Sequence, residues 1–307
     1  MEFSKSVNQV LDFAEKNAST SAEMASQSLA AKIGAVEGLR PFPIVAQKVM
    51  SIMGNPNCRT TEVTRVVKED PGLAAQVMRL ANSAFFSRGR NVDSLDRAII
   101  RLGLSNLKEI VCSVALMDMF PDVGGLGKTI RDHMAATGAI AQELVRDLLP
   151  SYVSGAFLCG LVHDLGKLLL IESKEMLYSA GDVEELTTPD RAYMTEQSVL
   201  GYDHAVLGGQ LLWNWHFPDP VPQVVAWHHQ PSLAYSDPDV DYMTAILRIS
   251  DHLEFALRKD SDEYVEFIDL FSNGPDCQFA AVSEEYLIEK WDRLSEVRTE
   301  SLSLFGG

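Results

Sequence analysis

The chain has 307 residues, 46% hydrophobic and 22% charged, with 26 Lys and Arg against 43 Asp and Glu for a net charge of −17. Such a composition supports one large or two modest domains with a full apolar core. It excludes a disordered chain, a collagen-like fibre and a small disulfide scaffold. The acidic balance argues against a broad nucleic-acid-binding face or an anionic-membrane surface, since both need a basic footprint.

Residues 3–31 are polar and Ala/Ser-rich, with Val7, Leu11 and Ala14 at helical spacing, and read as a leading helix or helix pair. Leu39-Arg40-Pro41-Phe42-Pro43-Ile44 breaks the pattern, because each proline disfavours helix just before it. A helix follows with Ile44, Val45, Val49 and Ile52 on one face, and it stops at Gly54-Asn55-Pro56. Thr60 or Thr61 is placed to cap a short helix carrying Val63, Val66 and Val67. Asp70-Pro71 opens the next helix, the carboxylate capping and the proline taking the first helical position. That helix shows Leu73, Val77 and Leu80 and ends at Asn82-Ser83. Ser94 is read as the cap of Leu95–Leu102, Gly103 as its stop, and Ser105 as the cap of Leu107–Phe120.

Asp122–Gly127 is the candidate linker, and longer helices follow at about 128–148, 154–170, 190–215, 218–229 and 238–258. Residues 259–307 hold 12 acids and 4 bases and read as a solvated C-terminal appendage. Sustained period-2 alternation is nearly absent, so the expected fold is all-α. The expected organisation is an N-terminal helical extension at 1–34, a helical half at 35–124, a second helical half at 125–258 and the acidic appendage at 259–307.

Cys58, Cys112, Cys159 and Cys277 are too far apart for a metal clip or redox pair. Scattered cysteines in apolar runs suit a reduced cytosol, and a cytoplasmic location is expected. Met1–Asn8 carries mixed charge with no apolar h-region after it, and no segment approaches ~20 uninterrupted apolar residues. Arg88-Gly89-Arg90 is a small basic patch whose default reading is a solvated loop. Trp213, Trp215 and Trp227 read as core, and Phe85-Phe86 as packing between the halves.

The seven histidines carry the chemistry. His133 sits on a helix and alone means little. His163-Asp164 lies in Gly160-Leu161-Val162-His163-Asp164-Leu165-Gly166-Lys167, where both groups are expensive to bury unless paired or coordinated. His204 follows a capping Asp203, His228-His229 ends a helix before Pro231, and Asp251 lies among apolar residues. His216 and His252 are near neighbours of these. Taken singly, each has a plain reading as a surface, capping or helix-end residue. Taken together, imidazoles and carboxylates from five helices suit borderline divalent metals, iron or manganese first, nickel or zinc next. Seven ligands, His133, His163, Asp164, His204, His228, His229 and Asp251, exceed what one ion needs and point to two ions bridged by Asp164.

This ordered set resembles the HD superfamily of metal-dependent phosphohydrolases, most of all its dinuclear HD-GYP branch. Leu39–Pro43, Glu69–Leu73, Arg79–Phe86 and Ala98–Gly103 are similar to the HDOD (HD-related output) domain, and the likeness covers about residues 35–255. It implies an all-helical HDOD bundle in a bacterial signalling protein, with a protein partner and a nucleotide or phosphate-ester ligand. The chain departs from HD-GYP in reading Gln230–Ser236 after His229, with no Gly-Tyr-Pro, and in having Thr129 where that branch has a glutamate. Three readings follow. One is a regulatory output module with a retained dinuclear metal site. The second is a phosphohydrolase in which Asp164 bridges the metals, while Lys167 either meets a substrate phosphate or is plainly a helix C-terminal cation or salt-bridge partner. In the third the histidines coincide by chance.

Overall fold

In the computed structural model, residues 22–39, 42–53, 55, 58–83, 91–120, 125–148, 155–173, 186–229, 238–259 and 264–305 are described. Most of the leading stretch, Phe85-Phe86, Arg88–Arg90, the first part of the linker and Gln230–Ser236 lie outside them. Every extended regular element among the described residues is a helix, and none is long and apolar enough to cross a membrane.

The N-terminal helices are α1 (Ala22–Leu39), α2 (Ile44–Met53), α3 (Thr60–Val67), α4 (Pro71–Ala81) and α5 (Leu95–Met119). Helix α1 buries Leu29 and Ile33, one turn apart. Phe42, just before α2, stacks on Trp215 and meets the edge of Phe217, both centroids 5.3 Å away, and so ties the N-terminal helices to the later ones. Helix α2 is rotated from the expected face: Ala46, Val49 and Met50 are buried and Ile44 is 71% exposed. Neither Thr60 nor Thr61 caps α3. Arg59 holds the N-cap position, and the Glu62 carboxylate accepts its N–H at 3.3 Å. Asp70 does cap α4, accepting the Leu73 N–H at 3.0 Å with Pro71 in the first turn. Asn82 closes α4 and pairs with both backbone groups of Val92. The expected break at Gly103 is present as a kink at φ 75° inside α5. Ser94 makes no side-chain cap bond there, and Ser105 lies within the helix.

The later helices are α6 (Leu126–Leu148), α7 (Ala156–Val162), α8 (Leu165–Ser173), α9 (Ala192–Leu200), α10 (His204–Asn214), α11 (Val221–Trp227), α12 (Pro238–Arg258), α13 (Tyr264–Ser272), α14 (Pro275–Ala280) and α15 (Glu284–Phe305). Helix α6 is central. Residues 133–145 are all buried, and α7, α12 and α15 pack around them. Helices α6 and α7 meet backbone to backbone at Gly138 and Gly160, where a Cβ on Gly160 would stand 2.4 Å from the Gly138 Cα.

Two expected helices are broken, and both breaks position the site. The stretch 154–170 divides at His163-Asp164, and 190–215 divides at Gly201–Asp203. Residues 264–305 are not a solvated appendage. Ile268, Cys277, Leu287, Leu294 and Val297 are buried, and α15 lies against α6.

Candidate metal centre

The site is assembled from helix ends around α6. His133 projects from α6 itself. His163 and Asp164 occupy the turn between α7 and α8, His204 is the first residue of α10, His228 and His229 follow α11, and Asp251 lies on α12. All seven are buried.

Each of five imidazoles has its Nδ1 engaged. His163 Nδ1 donates to the Gly160 carbonyl and His228 Nδ1 to the Val225 carbonyl, both at 2.7 Å and both three residues back. The same device thus satisfies the last turn of α7 and of α11. His133 Nδ1 donates to Glu254 Oε2 at 2.7 Å, His204 Nδ1 to Glu196 Oε2 at 2.6 Å, and His229 Nδ1 to Asp190 Oδ1 at 3.0 Å. These partners are carbonyls and carboxylates, which only accept, so each Nδ1 carries a proton and each Nε2 faces inward.

The Nε2 atoms converge on Asp164. Oδ1 of Asp164 lies 3.1 Å from His204 Nε2 and 3.9 Å from His228 Nε2, while Oδ2 lies 3.5 Å from His133 Nε2 and 3.4 Å from His163 Nε2. Two groups result: Asp164, His204, His228 and His229 on one side, and His133, His163 and Asp164 on the other, the atoms of each within 4.8 Å of one another. Asp251 Oδ1 approaches the second group at 3.1 Å from His133 Nε2.

The chemistry of the set fits a cation. With Nδ1 as the one protonated nitrogen of each ring, His163 Nε2, His228 Nε2, Asp164 Oδ1 and Asp251 Oδ1 are buried with no hydrogen-bond partner. All four present lone pairs, and leaving buried acceptors unsatisfied is costly. His204 Nε2 and His229 Nε2 stand 2.8 Å apart with their other nitrogens already engaged, a separation that invites a shared proton or a bridging cation. Burial alone disfavours an imidazolium, but the carboxylates of Glu254 and Asp251 push His133 up to about 9, and those of Glu196 and Asp164 do the same to His204, so without a cation these two Nε2 atoms hold protons that a cation would displace. Burial, reinforced by neighbouring imidazoles, drives His228 and His229 below the ordinary histidine range. Burial would raise Asp164, yet His163 and Lys167 hold it well below the usual carboxylate range.

Lys167 is buried, with Nζ donating to Asp164 Oδ2 and to the Leu186 carbonyl, each at 2.8 Å. This geometry makes the salt bridge to Asp164 that one of its sequence readings expected. Asp203 caps α10 as expected, accepting the Val206 N–H at 2.9 Å, and His204 is far from incidental. His216 is exposed and outside the convergent set, and His252 bonds the Arg248 carbonyl at 2.8 Å. Sequence reasoning missed Glu254, Glu196, Asp190 and Arg248. Glu254 alone had a signal, lying one helical turn beyond Asp251.

A curated but uncharacterized protein of Treponema pallidum (strain Nichols) is 24% identical over 197 residues, covering 63% of this chain and 38% of that protein. The match therefore spans well under half the length of that relative. A crystal structure of a candidate phosphohydrolase from Shewanella amazonensis SB2B superposes with a TM-score of 0.71 at 24% identity, covering 91% of this chain and 98% of that one. An HDOD domain protein of unknown function from Geobacter sulfurreducens gives 0.70 at 21% identity, with 91% and 98% covered. A candidate signal transduction protein from Marinobacter aquaeolei VT8 gives 0.63 at 21%, with 92% and 65% covered. At these identities the likeness establishes the fold. The HDOD domain model matches residues 39–231, more than half of the chain and all five convergent histidines, and the protein belongs to the HDOD domain family.

Proposed function

We propose that this protein is a bacterial signalling output module whose second helical half, about 125–258, holds two divalent cations. His133, His163 and Asp251 would hold one ion, His204, His228 and His229 the other, and Asp164 would bridge them. The observation that carries this reading is the set of four partnerless buried acceptors, ringed by five imidazoles whose Nδ1 atoms are already engaged. A bound divalent ion supplies Lewis acidity toward a phosphoryl oxygen. The chain's own groups do the holding. Carbonyls and carboxylates fix the ring orientations, and Lys167 balances part of the charge on Asp164. Two of the three Lys167 protons go to Asp164 and Leu186, and the third is left for a further acceptor.

A regulatory role is favoured over turnover by the burial of all seven side chains. Phosphohydrolysis of a nucleotide or phosphate ester is the second reading, supported by the completeness of the ligand set. The test is elemental analysis of protein purified without added metal, in wild type and Asp164→Ala, followed by a phosphodiester screen. About two equivalents of iron or manganese, lost in the variant, with no turnover, is the expected result. No metal on purification and none on titration would refute the metal reading. Turnover abolished by Asp164→Asn would replace the regulatory role with the enzymatic one.

A further inference from the structure

Two of the inward-facing histidines are held by carboxylates that are themselves held by arginines, and both chains of contacts end in the C-terminal helices. In the first, His133 Nδ1 donates to Glu254 Oε2 at 2.7 Å, and Glu254 Oε1 accepts from Arg298 Nε of α15 at 3.1 Å. In the second, His229 Nδ1 donates to Asp190 Oδ1 at 3.0 Å, and Arg248 grips both oxygens of Asp190 at 3.0 Å. Arg248 Nε then donates to Asp276 Oδ2, in the first turn of α14, at 2.9 Å. Each half of the centre thus has its own line to residues 264–305.

The docking of this segment is also unusual in its charges. Residues 259–307 hold only four bases, and three of them bridge to the body of the protein. Lys290 meets Asp147 at 2.7 Å, Arg293 meets Glu143 at 3.1 Å and Arg298 meets Glu254 at 3.1 Å. Only Arg298 among them touches a carboxylate that holds an inward-facing histidine.

We propose that α14 and α15 form a metal-responsive layer, with Arg298 and Asp276 as positioning residues for the two halves of the centre. The inference rests on the reading that the centre holds divalent cations. A cation held at His133 Nε2 fixes the ring in one position, with its Nδ1–H on Glu254. The fixed ring in turn holds the Glu254 carboxylate with its other oxygen aimed at Arg298. The same holds for His229, Asp190, Arg248 and Asp276. Linkage makes the effect reciprocal: whatever metal does for docking of the helices, docking does for metal affinity. The layer would report occupancy of a buried site at the protein surface.

The test uses the full chain with Mn²⁺ as the probe, reading Mn²⁺ affinity by chelator competition and hydrogen exchange across residues 289–300. In wild type, Mn²⁺ is expected to slow exchange in that stretch by at least about fivefold. Arg298→Gln should bind Mn²⁺ about tenfold more weakly and lose this protection, and Arg298→Lys should recover part of both. Asp276→Asn, on the other line, should weaken binding by a similar factor. Arg293→Gln breaks a comparable ion pair on the same helix and should leave Mn²⁺ affinity within about twofold of wild type. Wild-type affinity and protection in Arg298→Gln would overturn the proposal, as would an equal loss in Arg293→Gln. A wild-type chain that takes up no Mn²⁺ would refute the metal reading itself, a result distinct from either.

Discussion

Replacing Gly166 with alanine tests whether close backbone packing holds the two sides of the centre together. A Cβ at this position would lie 2.0 Å from the His204 carbonyl oxygen, 2.7 Å from its carbonyl carbon and 2.8 Å from its Cα. Ordinary contact begins near 3.4 Å, so α8 and α10 must part by about 1.4 Å. The obstructing atoms are all backbone, so no side-chain rotation relieves the clash. Overpacking of this kind costs about 2–3 kcal/mol. At ~2.1 cal/mol/K per residue, a chain of 307 residues should melt about 3–5 °C lower. The shift also falls on the ligands, because Asp164 is two residues before Gly166 and His204 is the residue pushed away. Metal affinity should fall at least about tenfold. Gly34→Ala is the contrast. It lies in α1 with nothing within 4 Å of the added carbon and should stabilise by about 0.5–1 kcal/mol. The assay is thermal denaturation in chelator, followed by metal titration of both variants. A Gly166→Ala protein that melts within about 1 °C of wild type and binds metal equally well would refute the packing argument.

Burial pushes the Cys112 and Cys277 thiols up to about 12 and Cys159 higher still, so almost none of each is thiolate at pH 8, whereas Cys58 is partly exposed with a smaller rise. A disulfide reagent should find one fast thiol in the native protein and four after unfolding; two or more fast native thiols would contradict this burial. Asp70→Ala should lose about 1 kcal/mol in urea denaturation through its cap on α4, while an unchanged midpoint would mean the cap contributes nothing. Metal at about 100 times its dissociation constant adds ~2.7 kcal/mol per filled site, or ~5.4 kcal/mol for two. Chelation should therefore lower the melting temperature of wild type by about 8 °C and leave Asp164→Ala nearly unmoved.

The helical fold and the ligand order were legible because each rests on a local pattern. Asp70-Pro71 capped α4 as read, and ionisable residues inside apolar strings marked His163-Asp164 and Asp251. The two helix breaks were not legible. Apolar spacing runs on through His163-Asp164, and the interruption is set by what those side chains meet across the bundle. Glu196 and Asp190 were missed because they reach the site from eight and thirty-nine residues away, and a single carboxylate in sequence looks like any surface acid. The C-terminal segment was misread for a related reason. Its acidic count hid the stripe Leu287, Leu294, Val297 and Ser301, at positions i, i+7, i+10 and i+14, which is the buried face of α15. Ile44 went wrong in the opposite direction, a strong apolar residue left exposed on a helix that packs through Ala46, Val49 and Met50.

The two sides of the centre offer different donors, and this predicts an order of filling. Apart from the shared Asp164, one side has three imidazoles, from His204, His228 and His229, while the other has two imidazoles and the Asp251 carboxylate. Borderline ions prefer nitrogen, whereas a harder ion such as Mn²⁺ gains more from oxygen. Zn²⁺ below one equivalent should therefore go first to the three-imidazole side. His204→Ala should abolish the tighter uptake phase, and His133→Ala should leave it nearly intact while removing the weaker one. With Mn²⁺ the difference between the two variants should narrow. The measurement is a Zn²⁺ titration of each variant to two equivalents, with X-ray absorption at half an equivalent counting the imidazoles bound. Equal loss of the tight phase in both variants, or two imidazoles at half loading, would mean that ligand composition does not set the order. The ion pairing of Lys167 with Asp164 acts on the oxygen that faces His133 and His163, so it opposes cation binding on that side and reinforces the same ranking.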